Sequence, residues 1–415
     1  MSGRSWLQRW EHDVGMVAAG VLGIALRAAL VFAVVAAVAL GALWGSHRWL
    51  GWSPPPPLNE IFAERVQQAE PLLYVYDNDM GWKLRPYTQL HWVSRAPFES
   101  AEPQDVRVRT NSEGFFDREH YATTDYYRIA FLGDSWVEAQ QVDPAQRFTD
   151  LVEGYVYSQS GGKKAVETMN FGVGNLGPAQ EYGLLRRYVA RYKPDEIWIV
   201  FNPVNDITDS TQLFTAPPLG PTFVYGRDGN TIEDVRFGFV HPPAVNEALR
   251  RKRYGDWVNL TVADVAPYLH ARQRHPAFES ALGETRACLR LMKKLADSMG
   301  AKLVVAYLPA RHEVYPEDWE KYRRSLGTRA TALDLDPARG EQRIGEIVAA
   351  EGAEFFSLKP LMLEKGAREM LQGHLSRMGH HWVADAIARR VVASDCCSLP
   401  ASAAAVRPPA PAVTS

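Results

Sequence analysis

From about residue 127 onward, short apolar runs alternate with helical stretches. Arg128–Leu132 (RIAFL), Val166–Phe171 (VETMNF), Glu196–Phe201 (EIWIVF), Lys302–Tyr307 (KLVVAY) and Ala353–Ser357 (AEFFS) read as strands. Most of these are continuous apolar runs, as strands buried on both faces are. Helical patterns separate several of them, over Pro178–Tyr192, Glu284–Met299 and Gln342–Glu351, and a last helix runs from near Gly379 to Arg390. Strands alternating with helices predict an α/β fold, a parallel β-sheet covered on both faces. In such sheets ligands sit at the C-terminal ends of the strands.

Two regions interrupt this alternation. Residues 72–126 read as a β-rich lead-in containing VRTNSEGFFD, and residues 207–280 form an insertion between the third and fourth strands. Within the insertion, Asp228-Gly229 is a hairpin turn signal. Insertions of this length near strand ends usually shape a binding site.

The N-terminus has a different pattern. Ala28 to Gly45 is an uncharged, almost wholly apolar run, extended upstream from Met16 to Leu26 and interrupted only by Arg27. Its length suffices to cross a bilayer. Arg4, Arg9 and Arg27 precede or open it, and Trp44, Trp49 and Trp52 follow it. That asymmetry predicts a single-pass membrane protein anchored through residues 16–45, N-terminus cytoplasmic and main domain periplasmic or otherwise extracytoplasmic. Ala37-Val38-Ala39 has the form of a signal cleavage site, but the apolar stretch continues past it, which favours an anchor. Residues 1–53 are thus the cytoplasmic stub and anchor. Residues 54–71, opening with four prolines, read as a stiff linker. Residues 127–394 form the main domain, and the small-residue, Pro-rich stretch 395–415 reads as a disordered tail.

The chain has 415 residues, 46% hydrophobic and 23% charged, enough for an ordinary globular core. A net charge of −2 gives no basic footprint, so no nucleic acid partner is expected. Three cysteines, Cys288, Cys396 and Cys397, make neither a disulfide framework nor a zinc spacing. His374, His380 and His381 have no carboxylate at ligand spacing, so no metal is expected, and His380 reads as a helix-start residue. His312-Glu313 lacks the second histidine of a zincin motif. Gly172 and Gly174 do not make a dinucleotide fingerprint, and no cofactor is called for. Trp82 reads as packing rather than as a sugar platform.

Candidate chemistry begins at Gly133-Asp134-Ser135. A serine there ends a buried strand beside a helix N-terminus, whose N–H groups favour developing negative charge. It is either a nucleophile or an ordinary helix cap. Three more pieces follow in order: NFGVGNLG at 170–177, NPVND at 202–206 and GHLSRMGH at 373–380. Each falls at a predicted strand end or in a late loop, so all four can converge.

This ordered set resembles the SGNH (GDSL-type) hydrolase family, in particular its membrane-anchored bacterial members, over most of residues 72–392. The resemblance implies a flavodoxin-like three-layer sandwich and ester chemistry, including esterases and envelope-polysaccharide O-acyl enzymes. It places Ser135 as nucleophile and His374 as base. The Ser135 backbone N–H, the Asn175 backbone N–H and the Asn205 side-chain amide become the oxyanion donors, and Asp134 holds the turn. The family's aspartate, two or three residues before the histidine, is replaced by Gln372 and Leu371. A Ser–His dyad oriented by Gln372 or a backbone carbonyl, a carboxylate such as Glu369 folding in, and a degenerate site that only binds all remain open. The substrate implied is an acyl ester, most plausibly an acetyl ester of a cell-envelope carbohydrate. Its rivals are a non-catalytic module binding glycan or an envelope partner, and a lipase-like esterase.

Overall fold

The structure is a computed structural model. It describes residues 69–70, 73–94, 104–215, 219–238 and 243–398, together with helical positions 30–32, 34–35 and 38. The rest of the expected anchor, most of the linker and residues 399–415 lie outside the described residues. Among the described residues no helix is long and apolar enough to cross a membrane. Leu30, Val31, Phe32, Val34, Val35 and Val38 are helical and exposed.

The lead-in folds as two small antiparallel units. Strand β1 (Ala69–Glu70) pairs with β4 (Gln89–Ser94), which pairs with β5 (Gln104–Arg109), and β2 (Tyr74–Asp77) pairs with β3 (Gly81–Leu84). The central sheet has five parallel strands: β6 (Tyr127–Gly133), β7 (Val166–Gly172), β8 (Glu196–Phe201), β11 (Lys302–Tyr307) and β12 (Glu354–Ser357). They lie in the order β12-β11-β8-β6-β7. The first strand of this sheet therefore has the second on one side and the third on the other, the flavodoxin-like arrangement with its switch point between β6 and β8. The five predicted strands fall on these within a residue or two of the sequence reading, and β6, β8 and β11, buried on both faces, are nearly continuous apolar runs.

Alternate residues of each strand enter opposite layers. Ala130, Leu132, Ile197, Ile199, Leu303 and Val305 face one core; Ile129, Phe131, Trp198, Val200, Val304 and Ala306 face the other. The helices used below are α1 (Ser135–Glu138), α2 (Phe148–Gln159), α3 (Pro178–Leu184), α4 (Asp206–Asp209), α5 (Pro276–Met299), α6 (Arg339–Ala350) and α7 (Arg377–Ala393). Phe148, Val152 and Val156 of α2 meet Val383, Ile387 and Val391 of α7 in the second core. The first core takes up α3, α5, α6 and the lead-in.

Several boundaries depart from the sequence pattern. Helix α5 starts eight residues before the predicted Glu284, at Pro276. A proline at the first helical position lacks only an N–H that has no partner there anyway, so it opens a helix as readily as it ends one. The predicted helix Pro178–Tyr192 is helical throughout but changes winding, with a π turn over Leu185–Val189 and a 3₁₀ turn over Ala190–Tyr192. Residues 395–398, read as tail, are ordered against the main domain. Ala165 donates to the Cys397 carbonyl (3.1 Å), and Lys164 pairs with Ser398. The insertion holds the expected hairpin, β9 (Thr222–Tyr225) and β10 (Ile232–Arg236), turning through Asp228 and Gly229.

The lead-in covers the open edge of β7. Asp117 Oδ2 accepts from the Asn170 backbone N–H (2.6 Å) and from His120 Nε2 (2.9 Å). This leaves less of the edge free to pair with another chain.

Close approach of α1 to β7 governs Gly172. A Cβ at Gly172 would lie 2.0 Å from the Glu138 backbone nitrogen, whereas one at Gly154, in the middle of α2, would meet nothing within 4 Å. Gly172→Ala is therefore expected to destabilise the domain by about 3 kcal/mol or more. Gly154→Ala should stabilise it by about 0.5–1 kcal/mol. Urea unfolding midpoints of the two variants check this, and a tolerated Gly172→Ala would contradict the packing described.

Candidate active site

Three strand ends and one hairpin build the site. After β6 the chain turns at Asp134, and Ser135 opens α1. Asp134, 2% exposed, caps this helix by accepting from the Trp136 N–H through Oδ1 (3.0 Å). Helix α1 lasts one turn and stops at Ala139, which takes a left-handed conformation (φ 46°). The fully buried Arg147 holds that exit, donating through Nε to the Ala139 carbonyl (3.2 Å) and through Nη1 to the Phe116 carbonyl of the lead-in.

The turn after β7 is fixed from both sides. Asn170 donates to the Val137 carbonyl (2.8 Å) and accepts from the Gly172 N–H (2.9 Å). Trp82, 5% exposed, donates from its indole to the Gly174 carbonyl (3.0 Å), so this packing residue also locks the loop. Asn175 follows, exposed, with φ 62°. Asparagine is among the few residues that adopt this region readily.

The turn after β8 carries Asn205, the N-cap of α4. Its amide nitrogen donates to Asp134 Oδ2 (2.9 Å) and to Asp209 Oδ2 (3.0 Å). An amide has two N–H donors. Both are engaged here by carboxylates, which differs from the free oxyanion donor that the resemblance implies.

His374 stands on a tight hairpin, β13 (Leu371–Gln372) against β14 (His374–Leu375), with Gly373 at the tip (φ 78°). Ser376 anchors the base of this hairpin. Its hydroxyl donates to the Glu369 carbonyl and accepts from the Gly379 N–H (2.9 Å), capping α7. The result places His374 Nε2 2.7 Å from Ser135 Oγ, although the two residues are 239 positions apart. The indole of Trp136 lies against the imidazole, ring centroids 4.8 Å apart. Gln372 opposes His374 in backbone register; its side chain lies outside the described residues. The Glu369 carboxylate lies close against Gly366, within 2.2 Å of where a Cβ would stand.

His380 sits in the first turn of α7, fully buried, its Nδ1 accepting from the Phe148 N–H (3.2 Å). Burial first, then the charge of Arg147, hold its pKa down at about 3, so it packs as a neutral ring. Among the described residues no group of three or more His, Cys, Asp or Glu is placed to hold a metal ion.

A feature absent from the sequence reading lies beneath the site. Glu181 on α3 and Asp206 on α4 are buried near Asp134 and Asp209. Burial first, and then the charge of Asp134, push the Glu181 and Asp206 carboxyls well above the usual carboxylate range. Neither oxygen of Glu181 has a hydrogen-bond partner among the described residues. Burial also raises Asp209 to about 7, against the pull of its bond from Asn205. Asp209 was legible only as the residue four positions after Asn205, one helical turn on. Glu181 carried no signal, since a glutamate in a helix normally faces water.

No family model and no curated protein matches the chain. Solved structures that resemble it include a lipase/acylhydrolase from Enterococcus faecalis, 16% identical over 64% of this chain and 95% of that one, with a TM-score of 0.34. A catalytic mutant of an acetylxylan esterase from Geobacillus stearothermophilus is 13% identical over 64% and 94%, with a TM-score of 0.36. An esterase from Pseudoalteromonas sp., inhibited by monoethylphosphonate, is 12% identical over 64% and 96%, with a TM-score of 0.32.

The raised carboxyl of Asp209 has a thermodynamic consequence. Its folded pKa of about 7 exceeds its unfolded value, so its contribution to stability is full below pH about 4 and is lost as pH rises through about 7. Asp209→Asn keeps an acceptor for Asn205 and removes the titration. The variant is expected to gain on the wild type by on the order of 2 kcal/mol between pH 5 and pH 8. Parallel unfolding curves at the two pH values, with no gain for the variant, would count against a neutral Asp209.

Proposed function

We propose that this chain is a serine esterase or O-acyltransferase of the SGNH type. Its substrate class is an acyl ester, with acetyl esters of a cell-envelope carbohydrate as the leading case. Residues 16–45 would anchor it in a membrane, with the catalytic domain on the outer side. The observation that carries the reading is the 2.7 Å contact of Ser135 Oγ with His374 Nε2 at the switch point of the sheet. A serine hydroxyl becomes a nucleophile when an adjacent base takes its proton.

In this reading Ser135 Oγ attacks the ester carbonyl while His374 Nε2 accepts the hydroxyl proton. The carbonyl oxygen gains negative charge as the tetrahedral centre forms. In this reading the backbone N–H groups of Ser135 and Asn175 and the Asn205 amide would be the donors that meet it. His374 then returns the proton to the leaving alkoxide, and Ser135 holds the acyl group as an ester. Water or a sugar hydroxyl attacks that ester, His374 again taking and returning one proton. For Asn205 to take part, one of its two N–H groups must leave a carboxylate.

A different observation favours a second reading. Both amide donors of Asn205 are spent on Asp134 and Asp209, and Gln372 brings no charge to His374. A degenerate module that binds glycan without turnover would look like this.

A fluorophosphonate probe separates the two. Intact-mass measurement of the full chain is expected to show one adduct, lost in Ser135→Ala. With an aryl acetate substrate, Ser135→Ala and His374→Ala should each lower turnover by about 10³-fold or more. Folded protein that takes no adduct across pH 6–9 would overturn the catalytic reading in favour of the binding module, and glycan binding would then be tested.

A further inference from the structure

At the end of the sheet opposite Ser135, the ordered residues after α7 bring two adjacent thiols together. Cys396 and Cys397 have their sulfurs 2.8 Å apart, closer than two sulfurs in van der Waals contact. Cys397 holds a left-handed backbone (φ 56°), which turns its side chain back toward its neighbour. The segment is pinned rather than loose. The Cys397 carbonyl accepts from Ala165, and Lys164 Nζ donates to the Val392 carbonyl (2.8 Å) and to the Ser394 carbonyl. The Ser394 hydroxyl donates to the Val391 carbonyl (2.7 Å) and lies 3.0 Å from Cys396 Sγ. Both cysteines are half-buried, and Cys397 lines a cavity of about 880 Å³ whose other walls include Tyr126, Arg128, Lys193 and Asp195. The third cysteine, Cys288, is fully buried in the other core.

We propose that Cys396 and Cys397, both half-buried, form a dithiol site that exchanges reversibly with small disulfides, closing to a disulfide between neighbouring residues. The co-reactant is a low-molecular-weight disulfide. Cys396 Sγ, as thiolate, attacks one sulfur of that disulfide, whose S–S bond breaks and releases one thiolate, which takes up a proton. Cys397 Sγ then attacks Cys396 Sγ, the mixed S–S bond breaks, and the second small thiol leaves with the remaining proton. The protein loses two hydrogens and two electrons, and the reagent gains both.

The surroundings suit each step. The hydrogen bond from Cys397, and more weakly those from Ser394 and the charge of Lys164, draw the Cys396 thiol down to about 6 against its burial. The Cys397 thiol is raised by the same bond, so Cys396 is the first nucleophile and Cys397 the resolving thiol. The groups facing Cys396 are Cys397, Ser394, Lys164 and the buried Glu196, whose charge opposes the shift. Neighbouring Cα atoms are about 3.8 Å apart across a trans peptide, below the about 4.4–6.8 Å of ordinary disulfides. Such a ring is strained and readily reduced, which marks an exchange site rather than a structural bridge.

The test uses the full native chain, treated at pH 7 with 2-hydroxyethyl disulfide and measured by intact mass and thiol titration. Wild type is expected to become lighter by two hydrogens, to lose two of its three thiols and to carry no adduct, and dithiothreitol should restore it. Cys397→Ser should stop at one mixed disulfide on Cys396. Wild type that keeps all three thiols, or that accumulates separate adducts on the two cysteines, would overturn the proposal. The wild-type measurement stands whether or not the serine variant folds.

Discussion

The carboxylate of Asp134 is the interaction on which the site depends. One oxygen caps the helix that starts at Ser135, and the other accepts from Asn205. These two contacts tie the end of β6 to the end of β8 across the switch point, where a parallel sheet leaves its crevice. Burying a carboxylate is tolerable only when hydrogen bonds replace its water, and Asp134 is 2% exposed. Its charge then dictates what its neighbours do. Glu181, Asp206 and Asp209 lie close in a low-dielectric layer, and like charges there cannot all ionise. Burial is the larger cause of the raised carboxyls of all three, and the charge of Asp134 adds to it.

His374 reaches the same point by a separate route. The turns of Ser135, Asn175 and Asn205 are set by sheet register, but His374 depends on how α7 docks. Tyr155 to His381 (3.0 Å) and Phe148 to His380 (3.2 Å) fix α7 against α2. Gly379 fits under the Met370 carbonyl, where a Cβ would stand only 2.4 Å away, which lets the hairpin fold back over the start of α7. The Ser135–His374 contact is therefore where two packed frames meet, and a small slip of α7 opens it.

How much of this was legible varied with the physics behind each part. Strands such as Glu196–Phe201 were readable because burial on both faces leaves no polar position beyond the first residue; β7 and β12 were readable from their place in the alternation with helices. That Ser135, Asn205 and His374 could come together was readable because their motifs sit at strand ends or before the last helix. The start of α5 was missed because Pro276 looks like a breaker. Cys396 and Cys397 were read as tail because nothing local to them shows that Lys164 and Ala165 hold them. The acid cluster was invisible for the same reason: Glu181 and Asp134 become neighbours only when α3 packs over the sheet. Tertiary partners override local pattern in each case.

The remaining question is what a Ser–His pair does with glutamine where a carboxylate usually stands. In a serine triad, losing that charge lowers the rate by about 10⁴-fold, or about 5 kcal/mol of barrier. The Trp136 ring, tilted against the imidazole with centroids 4.8 Å apart, attracts an imidazolium, but such contacts return only about 1–2 kcal/mol. In the proposed reaction the deficit falls on both half-reactions, because His374 serves each. Acylation slows, and the acyl-enzyme also lives longer.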